Sequence, residues 1–425
     1  MEHPQRRVLN DELHARPYVR LRSPARVSHL ALVTGQSDAD DRSHIVELCR
    51  RFGADAPPDG VNYWFVNLGP CWMNWESHTE FSTYTFYCHD EFLDAFEETV
   101  IDRIPSDWLD GLDGQVLVAV NLALMSSQVP APGQADLERW FPSGLWAGSL
   151  ASGGQAEVWA DFRIHDDDFS RMLVRDINLD ERKAGRLVQR LFEIETYRMM
   201  ALLAFPLARE HGGRVTWAVR SLADITHALT DTGDPEDEHR LLGQLSELAA
   251  EVERIAAATH YRFSAARAYY TLVQRRIDEL REERVEGKPT VNEFMERRLA
   301  PAMRTCESLR ERVELLSKRI TRAANLLRTR VDVALEQQNR DLLESMDRRA
   351  KLQLRLQQTV EGLSVVVLSY YSVGLVGYLI KALYAAGLPV DPDLLTGLSI
   401  PFVVAAVWFG IHRLHDAIGT RTDHG

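Results

Sequence analysis

The sequence predicts an α/β (or α+β) N-terminal cytosolic domain, then a long helical coiled-coil hairpin and stalk, then a C-terminal hairpin of two transmembrane helices. Three observations carry this prediction. β-Branched and aromatic runs recur through the first 178 residues, apolar residues step by four and three through the middle of the chain, and two uncharged stretches of spanning length close it.

The N-terminal runs are RVSHLALVT (26–34), VNYWFVNL (61–68), TEFSTYTFYC (79–88), QVLVAVNLALM (115–125), GLWAGSLA (144–151) and QAEVWADFRI (155–164). Each reads as a strand, because β-branched and aromatic side chains pack well on a pleated surface. Shorter amphipathic helices are expected near 41–52 and 90–101, and a longer one over about 180–207. The domain therefore covers 1–178, a helical connector covers 179–235, and TGDPEDE (232–238) forms a joint.

Beyond the joint the pattern turns helical. Leu241, Leu245, Leu248, Val252 and Ile255 keep four-three spacing, and after one stutter Phe263, Ala266, Tyr270, Val273, Ile277 and Leu280 resume it. VEGKPTVNE then supplies a turn at Gly287 and Pro289, and Thr290 with Glu293 makes a capping box for the next helix. That helix, kinked early at Pro301, carries Leu309, Val313, Leu316, Ile320 and Leu327. It has no breaker before the apolar segment, so a hairpin and stalk are expected over 236–361. From Arg304 to Ile380 one helix would measure about 115 Å.

Between Glu361 and Lys381 lie 19 residues without a formal charge. At ~1.5 Å each they reach ~28 Å, close to the hydrocarbon thickness of a bilayer. A second uncharged run, Leu394 to Ile411, follows a Gly/Pro/Asp connector and ends at His412-Arg413, so a two-span hairpin is expected over 362–411 with a cytoplasmic tail over 412–425. Tyr384 and Trp408 fall near the interfaces. Arg348, Arg349, Lys351 and Arg355 precede the first span and Arg413 and Arg421 follow the second, against Lys381 alone in the loop, which places both termini in the cytoplasm and the loop LPVDPD in the periplasm. The stalk seam continues through Val360, Leu363, Val367, Tyr370, Gly374, Gly377 and Lys381. Gly374 and Gly377 would let helices approach closely, so a homo-oligomer is expected.

The chain is 45% hydrophobic and 26% charged, the composition of an ordinary folded protein. Its net charge of −13 is uneven: Arg297 to Val360 holds 15 Lys/Arg against 8 Asp/Glu. A basic helix leading into an apolar one suits anionic lipids at an inner leaflet, and the acidic remainder disfavours nucleic acid as a partner. The four cysteines, Cys49, Cys71, Cys88 and Cys306, form no C-x-x-C or zinc spacing and are expected to be reduced and buried. MEHPQRRVLN lacks an apolar h-region, so no signal peptide is expected.

Candidate chemistry is sparse. HPQRRVLNDELHARP concentrates His3, Glu12, His14 and Arg16, but Pro4 and Pro17 favour an extended arm packed on the sheet with Arg16 and Glu12 paired. HDDDF offers Asp166, Asp167 and Asp168 as oxygen ligands for a hard divalent cation such as Mg²⁺, although adjacent strand residues point to alternate faces and no other cofactor is indicated. Trp72 and Trp75 in LGPCWMNWESH are candidates for a pocket wall or for core. No phosphate loop, dinucleotide fingerprint, zincin or nucleophile-elbow motif occurs, so no catalytic residue is nominated and a non-enzymatic protein is expected.

The opening His3-Pro4 with Glu12-Leu13-His14-Ala15-Arg16-Pro17, together with YRFSAARAYYTLVQRRIDELREER (261–284), LRTRVDVALEQQN (327–339) and LQLRLQQTVEGLSVV (352–366), resembles an uncharacterised family of bacterial two-span membrane proteins known only as a domain of unknown function. The resemblance covers essentially the whole chain and implies the bacterial inner membrane but no activity. In the order of its parts the chain also resembles the CorA-type divalent-cation channels, and Asp391 and Asp393 are similar to their acidic loop near the pore mouth. Their Gly-Met-Asn signature is absent, with Gly377-Tyr378-Leu379 nearest to it. Lys381 at the mouth should repel Mg²⁺.

Two functions are therefore carried forward. The first is an oligomeric, non-enzymatic membrane-anchored scaffold or sensor with a large cytoplasmic binding domain. The second is a CorA-like oligomeric channel, with Ser364, Tyr371 and Tyr378, spaced by sevens, lining the path.

Overall fold

A computed structural model describes residues 2–3, 5–6, 10, 18–34, 38–231, 234–385 and 391–419. The chain forms two compact units, Met1–Asn325 and Leu326–Gly425. The first holds a mixed sheet and most of the helices; the second holds the apolar helices. This is the α/β body, long helices and terminal helical pair that the sequence pattern predicts.

The sheet of the first unit has nine strands: β1 (Ala25–Val33), β2 (Tyr63–Asn67), β3 (Trp72–Ser77), β4 (Phe81–Cys88), β5 (Gln115–Met125), β6 (Ala147–Ala151), β7 (Ala156–Ala160), β8 (Ser170–Asp176) and β9 (Glu283–Arg284). Their order is β2-β3-β4-β1-β5-β8-β7-β6-β9. Only the β5–β8 pair is parallel among these neighbours; the rest are antiparallel. β1 is buried at nearly every position because it lies in the middle with layers on both faces.

Alternation divides those faces. Leu30 and Leu32 of β1, Met73 and Trp75 of β3, and Tyr84 and Phe86 of β4 join Ile45 and Leu48 of α1 (Asp38–Phe52) and Trp108 of α2 (Ser106–Asp110) in one core. Further along the sheet, Ala123 and Leu173 pack with Leu137 and Trp140 of α3 (Gln134–Trp140) and with Phe141 and Trp146. The opposite face meets α4 (Glu181–Leu202), where His29 stacks on Phe192 with ring centroids 4.6 Å apart. Residues one apart on β1 thus serve different layers, as a period of two requires.

The helices are α4, α5 (Ala204–Asp231), α6 (Pro235–Leu280), α7 (Val291–Arg298), α8 (Ala300–Ala385) and α9 (Pro392–Gly419). Asp234 caps α6, accepting from the Glu236 amide at 3.2 Å, with Pro235 at the first helical position, where its missing N–H is harmless. The four-three residues Leu241, Leu245, Val252, Ile255, Val273 and Leu280 are buried, which confirms the period reading. The Thr290–Glu293 capping box forms as expected. The break before α8 falls at Leu299, so Pro301 sits in the first turn of a new helix rather than kinking an old one.

Besides Pro301, the structure differs from the sequence reading at four places. Residues 90–101 form bends rather than a helix, with a short 3-10 turn at Ile101–Arg103. Asp94 and Asp102 there bond local amides, that of Phe96 at 2.9 Å and that of Thr99 at 2.9 Å, which competes with helix formation. LGPCWMNWESH contains the unforeseen strand β3. SRMLVRD forms β8, whose buried centre gave no alternation to read. The single long helix expected near 180–207 is two, α4 and α5, parted at Leu203.

Candidate functional site

The β7–β8 connection begins a pocket. Asp161 follows the end of β7 and is 4% exposed. Its Oδ1 accepts the Arg163 amide at 3.2 Å and its Oδ2 lies 2.9 Å from His165 Nε2. These bonds pull the chain into a tight loop, and Phe162 between them takes a left-handed φ of 53°. For a bulky aromatic residue that conformation costs about 1–3 kcal/mol and persists only where the surroundings dictate it. Burial pushes the Asp161 carboxyl above the usual carboxylate range, with His165 opposing the shift.

Phe162 then meets α7. Its ring centroid lies 5.1 Å from that of Phe294, Arg198 of α4 sits 5.6 Å over Phe162, and Arg298 sits 4.9 Å over Phe294. Two phenyl rings are thus held between two guanidinium groups. With Leu145, Leu202, Met295, Leu299, Ser143 and Arg163 they line a pocket of about 370 Å³, at the small end of the usual range for ligand sites. α7 is fixed from below: the Glu282 carboxylate accepts the amides of Val291 and Asn292, each at 2.9 Å, and also bonds the Ser149 hydroxyl of β6. A carboxylate at a helix N-terminus satisfies otherwise orphaned N–H groups.

The charges of this pocket are unequal in their partners. Arg198 is committed to Glu195, with Nε 2.9 Å from Oε2. Arg163 and Arg298 are exposed and make no ion pair among the described residues. The surplus is positive within an acidic chain, and apolar walls surround it. None of these pocket residues was singled out by sequence, because four separated segments supply them; the local signal is a loop aromatic, Phe162, three residues before the HDDDF run begins at His165.

A second aromatic cleft of about 420 Å³ lies on the α4 side of the sheet, lined by Tyr18, Arg20, Tyr63, Phe65, Trp72 and Tyr87 among others. Here the two candidate tryptophans part company. Trp72 is exposed and stacks on Phe65 at 5.2 Å, whereas Trp75 is core.

Asp166, Asp167 and Asp168 lie exposed at the tip of the β7–β8 loop. Asp167 accepts the Phe169 amide at 3.2 Å and faces Arg171 at 3.4 Å, while Asp168 takes a left-handed φ of 62°. No group of three or more His, Cys, Asp or Glu is placed to hold a metal among the described residues. His3 is exposed, and its ring accepts the Gln5 amide at 3.2 Å. Glu12, His14 and Arg16 lie outside the described residues. The chain just after them is fixed, with the Leu21 amide bonded to the Glu181 carbonyl at 3.0 Å.

In the second unit, α8 and α9 both contain stretches long and apolar enough to cross a membrane. Within the pair, Gly377 meets Thr396: a Cβ added at Gly377 would lie 3.4 Å from its methyl group. Gly374 has open space around it. Ser369 is buried, while Leu363, Tyr370, Tyr371 and Tyr378 are largely exposed. The expected seam and the expected path-lining tyrosines therefore lie away from the intrachain contact, Gly377 excepted. Ser364 donates to the Val360 carbonyl at 2.8 Å. Lys381 is exposed, and Asp391 caps α9 by accepting the amides of Asp393 at 3.2 Å and Leu394 at 3.4 Å.

No curated protein matches the chain. The segments that carry the family resemblance hold much of this architecture: Tyr261, Arg262 and Tyr269 bind Glu80 at the tip of the β3–β4 hairpin, and Glu282 anchors α7. That resemblance extends to a whole-chain match, for residues 1–418 fit the model described as a protein of unknown function, DUF3422, and the chain belongs to that family.

Proposed function

We propose that the chain is an integral membrane protein, a non-enzymatic, homo-oligomeric scaffold or sensor whose large cytoplasmic domain does the binding. The observation that supports this most is the surface of the two apolar helices. Leu363, Val366, Leu368, Leu375, Leu379, Leu398, Phe402 and Phe409 are all more than half exposed. Leaving such side chains in water costs about 1.5–3 kcal/mol each, so a bilayer is the natural solvent for both helices. In this reading the spans cross the bacterial inner membrane, both termini are cytoplasmic, and the basic stretch of α8 meets anionic lipid.

The oligomer rests on a separate feature. Leu335, Leu342, Met346, Leu356 and Val360 form an exposed stripe along α8, which continues into the outward seam of the span. A second copy of the same helix offers the same stripe, and knobs-into-holes pairing would cover it.

A second reading keeps the same topology but gives the oligomer an ion path. Tyr371 and Tyr378, 67% and 77% exposed, favour it by placing hydroxyl groups on an uncovered face. Purified protein reconstituted in liposomes distinguishes the two: the anchor reading expects resistance to carbonate extraction, cross-linked oligomers, and no divalent or monovalent flux. Release by carbonate would defeat both readings, and flux altered by Lys381→Ala would defeat the anchor-only one.

A further inference from the structure

We infer that the pocket between the β7–β8 loop and α7 binds a small organic carboxylate, its apolar body lying on Phe162 and Phe294 and its acidic group held by Arg163 and Arg298. The inference deepens the sensor reading by naming the ligand class of the cytoplasmic domain, and it rests on that reading for its biological role alone.

Charge selects an anion. Three guanidinium groups line the pocket, and only Arg198 has a carboxylate of its own, in Glu195. Arg163 and Arg298 are the two left to answer a ligand charge. The acid inside the wall, Asp161, does not compete for them through its side chain, since its two oxygens are taken by His165 and by the Arg163 backbone amide. A planar guanidinium matches a carboxylate with paired N–H donors, which a lysine could not do as well.

Shape selects the body of the ligand. The pocket's exposed lining is mostly apolar, from Leu145, Leu202, Met295, Leu299 and the two phenyl rings. A bare inorganic anion would leave these surfaces wet, whereas an aromatic or alicyclic body would cover them. The positive φ of Phe162 is the local cost of aiming its ring at α7 rather than away from it. His165 and the Arg163 amide fix that orientation through Asp161, so the floor is formed before any ligand arrives.

The test is titration calorimetry on the full chain in lipid nanodiscs, with empty nanodiscs as the blank. The probes are 2-naphthoate, its uncharged counterpart 2-naphthalenemethanol, and inorganic phosphate. Expected is saturable 2-naphthoate binding, at least about tenfold tighter than that of either other probe. Arg163→Gln with Arg298→Gln should weaken naphthoate by about tenfold or more and leave the alcohol unchanged. Both arginines are exposed, and an unchanged melting temperature would establish that the fold survives. Phe294→Ala should weaken both aromatic probes together. Absence of naphthoate binding at millimolar concentration, or binding indifferent to the double substitution, would overturn the site. Phosphate binding as tightly as naphthoate would overturn the apolar half of the recognition. Membrane anchoring is unaffected by any of these outcomes, so the two readings fail separately.

Discussion

Nη2 of Arg262 lies 2.7 and 2.8 Å from the two carboxylate oxygens of Glu80, joining the tip of the β3–β4 hairpin to the middle of α6. Tyr261 donates to the same carboxylate at 2.6 Å and Tyr269 at 2.7 Å. Burial alone would raise the Glu80 carboxyl, but the two tyrosines and Arg262 outweigh it and hold it below the usual range. Because the folded value is depressed, this stabilisation is present above the unfolded pKa and is lost as pH falls through the folded one. Glu80→Ala should lower stability by about 2–3 kcal/mol in urea denaturation, since it strands a partly buried Arg262. A double-mutant cycle with Arg262→Ala that returned no coupling would refute this clamp.

His29 predicts a pH dependence of opposite origin. It is 5% exposed, with Nδ1 2.8 Å from the Thr85 hydroxyl and Nε2 3.1 Å from that of Thr196. Burial, aided by His78, pushes its pKa down to about 3. The ring stays neutral in the fold but takes a proton when unfolded below about 6.5, so the unfolded chain binds more protons and stability rises with pH. As pH falls between those two values, wild-type protein should lose about 1.4 kcal/mol per pH unit relative to His29→Gln. Parallel stability curves for the two proteins would show that His29 contributes nothing to the slope.

At Gly185, α4 closely approaches the chain that enters β1. A Cβ there would lie 1.7 Å from the Val19 carbonyl oxygen, a backbone atom that cannot swing aside. Gly185→Ala improves helix propensity by about 1 kcal/mol yet should destabilise by about 3 kcal/mol or more. Thermal unfolding measures the loss, and proteolysis after Tyr18 or Arg20 should quicken if the segment is displaced. Unchanged stability would mean that α4 and residues 18–21 part easily.

The two glycines of the first apolar helix should behave differently. Gly377→Ile meets Thr396 and should spoil the α8–α9 contact, whereas Gly374→Ile enters open space and should leave that contact intact. If the outward seam joins copies of the chain, Gly374→Ile should lower the yield of cross-linked oligomer while extraction from the membrane stays unchanged. An oligomer insensitive to Gly374→Ile would place the interface on another face.

Regular periodicity made much of this legible from sequence. The four-three stripe of α6 and α8, the Thr290–Glu293 box and the two uncharged runs each repeat a local pattern, and local patterns need no knowledge of the rest of the fold. β8 and the bends at 90–101 were not legible. A strand buried on both faces loses its alternation, and Asp94 and Asp102 bond nearby backbone amides in competition with a helix, a choice that hydrophobic period does not record.

The sequence by itself determined the class of each part: a strand-rich first portion, long helices, and two segments suited to lipid. Tertiary structure alone decided which charges meet. Glu80 and Arg262 are paired across 182 residues, and Phe162, Arg198 and Phe294 come together from a loop and two helices. The physical reason is range. Hydrophobic period is written along one element, while a pocket or an ion pair is set by sheet order and helix packing, which bring distant elements together without leaving a spacing to read.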